Sequence, residues 1–441
     1  MNDFNIYVPN YVKEIIDKLE SNNYEVYLVG GCIRDTLLNK EVHDYDLVTS
    51  ASLNEIKNVF KDYYIINNNG EKHNTISIYN KEDVVEVSSF RGEEGETKSI
   101  ELDLLHRDFT INSIAFSFKK GLIDPYSGVK DLSNKTLKAV LSPSERFLED
   151  PLRIFRALRF ASKYGFTIEK ETEKEMFKYA YKLKEVAVER LRDELIKMMV
   201  GDFVFNNVLL TYREIIGVVI PELVPCFDFN QNNRYHFHDV YMHTVHVVNY
   251  TPCDYITRIA ALLHDIGKPS SYSETNVEGY IQGHFYSHPL LSYEMSRVIL
   301  NRLKFSTIDK NRILFLIKEH DCFISLSRKI LNRILSKIKD EDVLGMFTRL
   351  IDLKKADRKD HINLKELDLD EIYELGKKII EENNSFKVSS LDINGYDLMS
   401  LGYKGREIKE MLNEILDLVI DEKLINEKEA ILEYIKNKSA K

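Results

Sequence analysis

Residues 25–46 read EVYLVGGCIRDTLLNKEVHDYD, and this stretch decides the fold of the N-terminal part of the chain. Its apolar run Val26–Val29 predicts a buried strand, and Gly30 and Gly31 predict a turn where that strand ends. The following CIRDTLL predicts a helix, and a second strand is expected over HDYDLVTS. The stretch therefore predicts a strand–turn–helix–strand unit within an α/β domain.

Two carboxylates in this stretch, Asp44 and Asp46, are separated by one residue. On a strand, residues i and i+2 point to the same face, so both carboxylates are expected to aim at one point. A divalent cation relieves their repulsion, and Mg²⁺ prefers such oxygen ligands. Glycines before a helix also let backbone N–H groups approach a phosphate. The pattern favours a site for a nucleoside triphosphate and a metal; the alternative is a plain turn followed by solvated acids.

Composition narrows the class of protein. The chain has 441 residues, 44% of them hydrophobic and 30% charged, which is typical of a globular protein of about two to four domains. Its net charge of −10 has the wrong sign for a nucleic-acid binder as a whole. Because only the local potential at a binding face matters, we expect a basic lining inside an acidic exterior if nucleic acid is bound.

Cellular context follows from the cysteines and the apolar runs. The four cysteines lie far apart without a C-x-x-C pair, which argues for a reducing cytosol and against a structural zinc site. The N-terminal residues lack the apolar core of a signal peptide. The apolar runs are all much shorter than the roughly 20 residues of a membrane span. A cytoplasmic protein without a membrane partner is expected.

The pattern of elements changes near residue 140. Before it, strands are also expected over Asn74–Asn80 and over DVVEVSSF, so a small mixed sheet with helices is predicted. After Pro143 the strand signals nearly vanish and helical periodicity takes over. The fold class is therefore an α/β domain followed by all-α parts.

Glu86, within DVVEVSSF, is a candidate third carboxylate. If its strand pairs beside the strand of Asp44 and Asp46, it can help to bind a second metal or activate an attacking hydroxyl. The alternative is an exposed strand glutamate.

HRDFTINSIAF, residues 106–116, combines charge with hydrogen-bonding groups. Arg107 can contact a triphosphate or ribose, and Asp108 and Asn112 can fix geometry by hydrogen bonding. An aspartate at a helix N-terminus is ordinarily a cap, which is the alternative for Asp108.

EDPLRIFRALRF, residues 149–160, places Arg153, Arg156 and Arg159 three residues apart among apolar residues. This spacing gives a basic stripe on a helix whose other side is apolar. Asp150 precedes Pro151 and is a natural N-cap. An aspartate–arginine pair also offers acceptors and donors that can read a base edge. A plain solvated helix face is the alternative for the stripe.

Six segments in this order, GGCIRD, DYD, HRDFTIN, DPYSGVKDL, EDPLRIFRALRF and VERLRDEL, resemble bacterial class II tRNA nucleotidyltransferases, the CCA-adding enzymes and their poly(A) polymerase relatives. The resemblance is close over about residues 20–200. It implies an α/β nucleotidyltransferase head over residues 1–140, a helical neck over 141–226, an HD-containing body over 227–360 and a helical tail over 361–441.

The resemblance also implies residue roles. Asp44 and Asp46 match the metal-binding carboxylates for Mg²⁺, and Glu86 matches the third catalytic acid. Asp150 and Arg153 match the pair that reads the Watson–Crick edges of CTP and ATP. The full nucleotide-binding set comprises Gly30, Gly31, Arg34, Arg107, Asp108, Asn112, Asp150, Arg153, Arg156 and Arg159.

Two features depart from the family pattern. His106 stands where the family usually has the first arginine of an Arg-Arg-Asp motif. The segment between Arg91 and Arg107 is short, whereas full CCA-adding enzymes usually carry a longer flexible loop there that helps to switch the pocket from CTP to ATP. Addition of only two cytidines is therefore an alternative to CCA addition, and poly(A) synthesis is a third product.

A second constellation lies in the helical part. DVYMHTVHVV, ALLHDIGKP and DLKKADRKD supply His243, His264, Asp265 and Asp357, which suit a divalent transition metal as well as magnesium. The segments resemble the HD phosphohydrolase superfamily, and His288 and His320 match extra histidines of some members. A metal-bound water can hydrolyse a phosphoester. The resemblance implies a substrate such as a cyclic phosphate at a damaged RNA end. A structural helical domain with a vestigial site is the alternative.

The sequence thus predicts a two-metal nucleotidyltransferase that extends tRNA from CTP and ATP without a nucleic-acid template. The alternative from another class is a metal-dependent phosphohydrolase whose N-terminal domain only binds nucleotide or RNA. The sequence makes no prediction of the oligomeric state.

Overall fold

The computed structural model describes residues 6–67, 75–80, 83–91, 99–277, 280–362, 367–382, 387–421 and 423–439. The chain forms two compact units, Met1–Val219 and Ile220–Lys441. Each unit has its own core and its own candidate site.

The first unit is built on a seven-stranded mixed sheet with the order β3-β4-β5-β2-β1-β6-β7. Strand β1 pairs antiparallel with β2 and β6, while β2 and β5 run parallel. The strands are β1 (Val26–Val29), β2 (Asp46–Thr49), β3 (Tyr64–Asn67), β4 (Thr75–Asn80), β5 (Asp83–Ser89), β6 (Ala115–Ser117) and β7 (Gly121–Ile123). Strands β8 (Thr136–Leu137) and β9 (Thr167–Ile168) form a separate parallel pair.

The sequence of β1 fits its position at the centre of the sheet. All four residues of β1 are buried, as expected for a strand covered on both faces. The β1–β2 ladder ends at the pair Val29 and Asp46, because Gly30 turns the chain away with φ 69°. The strand predicted over HDYDLVTS is thus shorter than expected: it begins at Asp46, and Asp44 lies exposed in the preceding loop. The argument that both acids share one strand face was wrong for this reason.

The α-helices of the first unit surround the sheet and continue beyond it. They are α1 (Asn10–Ser21), α2 (Gly31–Leu37), α3 (Leu53–Val59), α4 (Ile100–Leu105), α5 (Gly128–Ser133), α6 (Pro143–Glu149), α7 (Leu152–Tyr164), α8 (Lys170–Tyr179), α9 (Val188–Met199) and α10 (Arg213–Val219). Helix α7 packs against α9 and is mostly buried. It ends at Gly165, which adopts the left-handed conformation with φ 69° that favours glycine.

The second unit is mainly helical. Its α-helices are α11 (Val240–Tyr250), α12 (Tyr255–Leu263), α13 (Lys268–Ser271), α14 (His288–Arg302), α15 (Thr307–Glu319), α16 (Arg328–Ser336), α17 (Val343–Lys359), α18 (Leu369–Glu381), α19 (Gly395–Ser400), α20 (Arg406–Ile420) and α21 (Lys428–Ser439). Helices α11, α12, α15 and α17 pack into one bundle. A separate apolar cluster, which includes Leu398, Ile415 and Ile431, joins α19, α20 and α21.

The predicted fold class is confirmed: a mixed sheet with helices is followed by a helical remainder. One element was missed. Strands β10 (Tyr272–Val277) and β11 (Tyr280–Phe285) form an antiparallel hairpin within the helical second unit. Within the described ranges, the helices are all too short or too polar to traverse a bilayer. The bounds of the four predicted domains stay predictions.

Candidate functional site

The acidic side of the first site lies where β2 begins. Asp46 is the Cα partner of Glu86 in the parallel β2–β5 ladder, so the two side chains lie on the same face of the sheet. Glu86 is exposed and Asp46 is half-buried. Asp44 approaches from the loop rather than from the strand, yet its charge acts on Asp46. The structure therefore places Asp46 and Glu86 side by side in the sheet, with Asp44 near enough for its charge to act on Asp46.

The protonation equilibrium of Asp46 reflects this setting. Burial raises the pKa of Asp46, and the negative charge of Asp44 raises it further, against the opposing charges of Arg107 and Arg34. A divalent cation stabilises an ionised carboxylate in such surroundings. The donor set of carboxylate oxygens fits a hard cation such as Mg²⁺.

The glycine turn after β1 faces an arginine. A Cβ atom added to Gly30 would lie 3.0 Å from Nη1 of Arg107. Arg107 is held by Asp103, whose Oδ2 accepts from Nε at 3.1 Å and from Nη2 at 3.0 Å. Asp103 is fully buried and was not identified from the sequence. Its role is to fix Arg107 beside the turn.

A buried network links α2 to α7. Arg34 donates to Oδ1 of Asn112 at 2.6 Å, and Asn112 donates to Oδ1 of Asp108 at 3.0 Å. Arg156 completes the network, donating to Oδ2 of Asp108 from Nε at 2.8 Å and from Nη2 at 2.6 Å. The network positions two guanidinium groups relative to each other.

Asp108 is the central acceptor of this network. Burial raises the pKa of its carboxyl group, but the charge of Arg156 and hydrogen bonds from Asn112 and Arg156 outweigh burial and hold the pKa well below its ordinary value. Asp108 also accepts from the backbone N–H of Phe109 at 2.8 Å. The carboxylate is ionised and fully engaged, which is more than a cap requires.

The three arginines of α7 are not a solvated face. Arg153 is buried, while Arg156 and Arg159 are half-buried. Nε of Arg159 lies 2.6 Å from Oε2 of Glu194 on α9, and its guanidinium lies 4.2 Å from the centroid of the Phe160 ring. The stripe faces inward because α9 supplies a buried carboxylate opposite it.

Asp150 and Arg153 have different side-chain partners. Asp150 accepts from Nη2 of Arg190 at 2.8 Å and from the backbone N–H of Leu152 at 3.2 Å. Arg153 donates to Oε2 of Glu149 at 2.7 Å and to the carbonyl of His106 at 2.9 Å. Both groups stand at the same break between α6 and α7, each held by a neighbour that the sequence did not indicate.

These groups line one cavity of about 930 Å³. Of the predicted residues, Asp46 and the ten nucleotide-binding candidates belong to its lining, whereas Asp44 and Glu86 lie outside that set. Among the described residues, seven arginines and four acids line it, so the cavity is basic inside an acidic chain. The lining residues outside the predicted catalytic and nucleotide-binding sets are Arg91, His106, Glu149, Phe160 and Arg190. Residues 92–98 of the short segment, on which the CC-only alternative rests, lie outside the described residues.

The second unit carries the predicted HD cluster. His243 lies on α11, His264 and Asp265 follow α12 directly, and Asp357 lies on α17. Nε2 of His243 lies 3.1 Å from Oδ1 of Asp357 and 3.4 Å from Oδ2 of Asp265. Nε2 of His264 lies 3.2 Å from the same Asp265 oxygen. Packing of the helical bundle thus brings the four predicted ligands together.

The orientation of the imidazoles fits a metal. Nδ1 of His264 donates to the carbonyl of Ala261 at 2.7 Å, which leaves Nε2 as a lone-pair donor toward the cluster. Among the described residues, neither Nε2 of His264 nor that of His243 has a hydrogen-bond partner of good geometry, although both are fully buried. Buried nitrogens directed at carboxylates without hydrogen bonds are what a metal site requires.

The ionisation of the carboxylates in the HD cluster also favours binding of a cation. Burial lowers the pKa of His243, but the nearby carboxylates of Asp357 and Asp360 outweigh it and raise the pKa to about 9. Burial would raise the pKa of Asp265, yet the neighbouring histidines and Lys268 lower it well below its ordinary value. The carboxylates are therefore ionised.

His288 and His320 face the other oxygen of Asp265. Their Nε2 atoms lie 3.3 and 3.9 Å from Oδ1 of Asp265, and both Nδ1 atoms are tied to backbone carbonyls. Lys268, which no sequence argument singled out, places Nζ 2.6 Å from Oδ2 of Asp265. A cavity of about 380 Å³ opens onto these residues.

Comparison with known protein families assigns the class. The family model described as poly A polymerase head domain matches residues 26–138, and the HD domain model matches residues 253–361. Models for a polymerase A RNA-binding site and for tRNA nucleotidyltransferase domain 2 match residues 165–224 and 331–435. The class is thus a poly(A) polymerase-type nucleotidyltransferase head joined to an HD domain.

Similar proteins of known activity identify the family within this class. A CCA-adding enzyme of Oceanobacillus iheyensis is 30% identical over 96% of this chain and 95% of its own length. The chain belongs to the CCA-adding enzyme family. A CCA-adding enzyme of Enterococcus faecalis is 38% identical over 208 residues, which cover 44% of this chain and only 50% of that relative. Several relatives are thus matched over about half of their length.

Solved structures share the fold. The CCA-adding enzyme of Bacillus stearothermophilus in complex with CTP superposes with a TM-score of 0.69 at 22% identity, covering 97% of each chain. The Thermotoga maritima CCA-adding enzyme complexed with tRNA gives a TM-score of 0.58 at 20% identity, covering 99% of this chain and 97% of that chain.

Proposed function

We propose that this protein adds CCA to the 3′ ends of tRNA, using CTP and ATP, and that the reaction takes place in the cavity of the first unit. The observation that carries the proposal is the convergence of Asp46, the glycine turn and the arginines of α2, α7 and α9 on one basic cavity. Family membership supports the same activity, and solved structures of CCA-adding enzymes contain bound CTP or tRNA.

The nucleotide is expected to lie along this cavity. Arg34 and Arg107, beside the glycine turn, bind the triphosphate, because guanidinium groups pair with phosphate oxygens in a bidentate manner. Asp150 and Arg153, at the break between α6 and α7, contact the edge of the base. Both have protein partners in the structure, and we infer that Arg190 and Glu149 hold them in position for an incoming base.

Asp44, Asp46 and Glu86 would hold the divalent cation, for which Mg²⁺ is expected. When bound, the cation neutralises charge that develops on the triphosphate during transfer. Glu86 is the Cα partner of Asp46 in the ladder, and we expect it to assist deprotonation of the tRNA 3′-hydroxyl. The acids are thus expected to hold the metal, and the arginines are expected to orient the nucleotide.

The test removes Asp44 and Asp46 together. Asp44→Ala/Asp46→Ala is expected to abolish incorporation of labelled CTP into tRNA that lacks its 3′ end, with an unchanged circular dichroism spectrum. The matched control is Asp17→Ala/Asp62→Ala, which removes two exposed acids of the same unit and should keep full activity. Retained incorporation in the first variant would refute the proposal.

The same tRNA distinguishes the products. Incubation with CTP alone, ATP alone and both nucleotides should give CC, no extension and CCA, respectively. Extension that stops after two cytidines in the presence of ATP would support the CC-adding alternative. Long adenosine tracts would support poly(A) synthesis.

A second activity is favoured by one observation, the buried histidine nitrogens directed at Asp265 and Asp357. We propose that the HD cluster binds a divalent transition metal and hydrolyses phosphoesters at RNA ends. His264→Ala should abolish metal-stimulated hydrolysis of an RNA oligonucleotide ending in a cyclic phosphate, and CTP incorporation should be unchanged. If the unaltered protein does not hydrolyse that end with Mn²⁺, Ni²⁺ or Zn²⁺, this second activity is refuted.

A cytoplasmic location is also proposed. The four cysteines, Cys32, Cys226, Cys253 and Cys322, form no disulfide in the described structure. Thiols in that state are typical of a reducing compartment.

A further inference from the structure

Three side chains meet beside the HD cluster without belonging to it. His238 precedes α11, His246 lies on α11 and Asp360 follows α17 directly. One ligand atom from each lies within 4.8 Å of the other two. In the described part of the chain, none of the three lines either cavity that opens onto the HD cluster. The group is therefore a separate feature of the second unit.

The atoms face a common point. Nδ1 of His246 lies 2.6 Å from Oδ1 of Asp360, and Nε2 of His238 lies 3.9 Å from the same oxygen. The two imidazole rings are 4.4 Å apart between centroids. The side chain of Asp360 is 5% exposed, whereas those of His238 and His246 are 29% and 21% exposed. The carboxylate is thus anchored, and the imidazoles lie at the solvent edge.

We propose that His238, His246 and Asp360 bind a divalent transition metal, with Zn²⁺ as the preferred ion. Two imidazole nitrogens and one carboxylate oxygen match the ligands of zinc, and water completes a tetrahedron. Around a tetrahedral ion with bonds of about 2.0–2.1 Å, donor atoms lie roughly 3.2–3.5 Å apart. The two distances to Oδ1 of Asp360, 2.6 Å from His246 and 3.9 Å from His238, lie on either side of this range. Small side-chain rotations would therefore bring the three atoms to the spacing that the ion requires.

A hydrogen bond alone does not account for the arrangement. Oδ2 of Asp360 accepts from Nδ1 of His243 at 2.9 Å, and Oδ1 accepts from Nδ1 of His246. His238 directs its nitrogen at the same Oδ1 from a distance too long for a hydrogen bond. A metal ion bound between His238, His246 and Asp360 would explain why the His238 nitrogen points at this oxygen.

The site is coupled to the HD cluster through one carboxylate. Asp360 accepts from His243, which is a predicted ligand of the HD metal. A carboxylate that bridges in this way fixes the ring orientation of the histidine it contacts. Zinc bound to Oδ1 of Asp360 would therefore hold the ring of His243 in the orientation that it needs to bind the HD metal.

Zinc stoichiometry tests the proposal. The chelator-treated full chain is equilibrated with Zn²⁺, and bound metal is measured by mass spectrometry. His238→Gln/His246→Gln is expected to lose about one equivalent relative to the unaltered protein, whereas His264→Ala/Asp265→Ala retains that equivalent. His43→Gln, which changes an exposed histidine of the first unit, is the matched control and should bind as the unaltered protein does. Unchanged stoichiometry in the His238 and His246 variant overturns the proposal.

A second measurement does not depend on any variant. Crystals of the unaltered protein soaked in Zn²⁺ are expected to give an anomalous peak about 2.0–2.1 Å from Nε2 of His238 and Nδ1 of His246. A peak at the HD cluster without one at this position would overturn the proposal.

Discussion

Replacing Asp108 by asparagine is expected to destabilise the first unit by about 2–4 kcal/mol. The carboxylate is buried and accepts four hydrogen bonds, two of them from Arg156. An asparagine keeps one acceptor oxygen but turns an NH₂ group toward the guanidinium. Arg156 then loses its close counter-charge in a half-buried position.

The magnitude follows from the environment of the pair. Removing one partner of a fully buried ion pair costs about 3–5 kcal/mol. The side chain of Arg156 is 34% exposed and keeps Glu194 at 3.8 Å, so solvent and the second carboxylate reduce the cost. Asp193→Asn is the matched control, because Asp193 also accepts from an arginine but is 54% exposed. That change should cost about 0–1 kcal/mol.

Urea unfolding, with hydrogen exchange of peptides from α7, measures the effect. Because the pKa of Asp108 is lowered in the folded state, its stabilising contribution is present above the unfolded pKa of about 3.9. It is lost as pH falls through the folded pKa. The difference between the unaltered protein and the variant should stay constant from about pH 5 to about pH 8 and shrink below about pH 4. A difference under about 1 kcal/mol at pH 7, or one equal to the control, would refute the reasoning.

Three further changes probe the cavity. Gly30→Ala should raise KM for CTP about tenfold, because φ is +69° there and the added methyl would lie 3.0 Å from Arg107; Gly121→Ala, at φ +73° with open space around it, should leave KM unchanged. Arg190→Ala should leave stability within about 1 kcal/mol but raise KM for CTP, because Asp150 loses its partner, whereas Arg192→Ala on the same helix should not. Glu86→Gln should lower the rate of CTP incorporation at saturating Mg²⁺ at least about 100-fold, and an unchanged rate would exclude a catalytic role.

Local patterns gave the positions of most cavity residues. The strand, glycine turn and helix of residues 26–37 are each encoded by neighbouring residues, and Gly30, Gly31 and Arg34 lie together in the lining of one cavity. The spacing of the arginines in α7 likewise defined a stripe. The roles of these residues stay predictions until the variants are measured.

The partners of those residues could not be predicted in the same way. By sequence, Glu194 and Arg190 are ordinary charged residues of one helix, and nothing in their spacing distinguishes them from solvated ones. Each becomes a partner because α9 packs beside α7. Asp103 differs, because it lies four residues before its partner Arg107, but its complete burial depends on the tertiary structure. The break in pairing at Gly30 also moved Asp44 out of the strand, which residue alternation alone did not indicate.

The sequence by itself determined the mixed α/β and helical organisation, the family, and the chemical types at both sites, because these depend on short-range periodicity and on ordered motifs. Only the tertiary structure decided which carboxylate meets which cation, and that His238, His246 and Asp360 form a group. The physical reason is that ion pairs and groups of metal ligands join residues that are far apart in the sequence. The distances between such side chains depend on how whole helices pack.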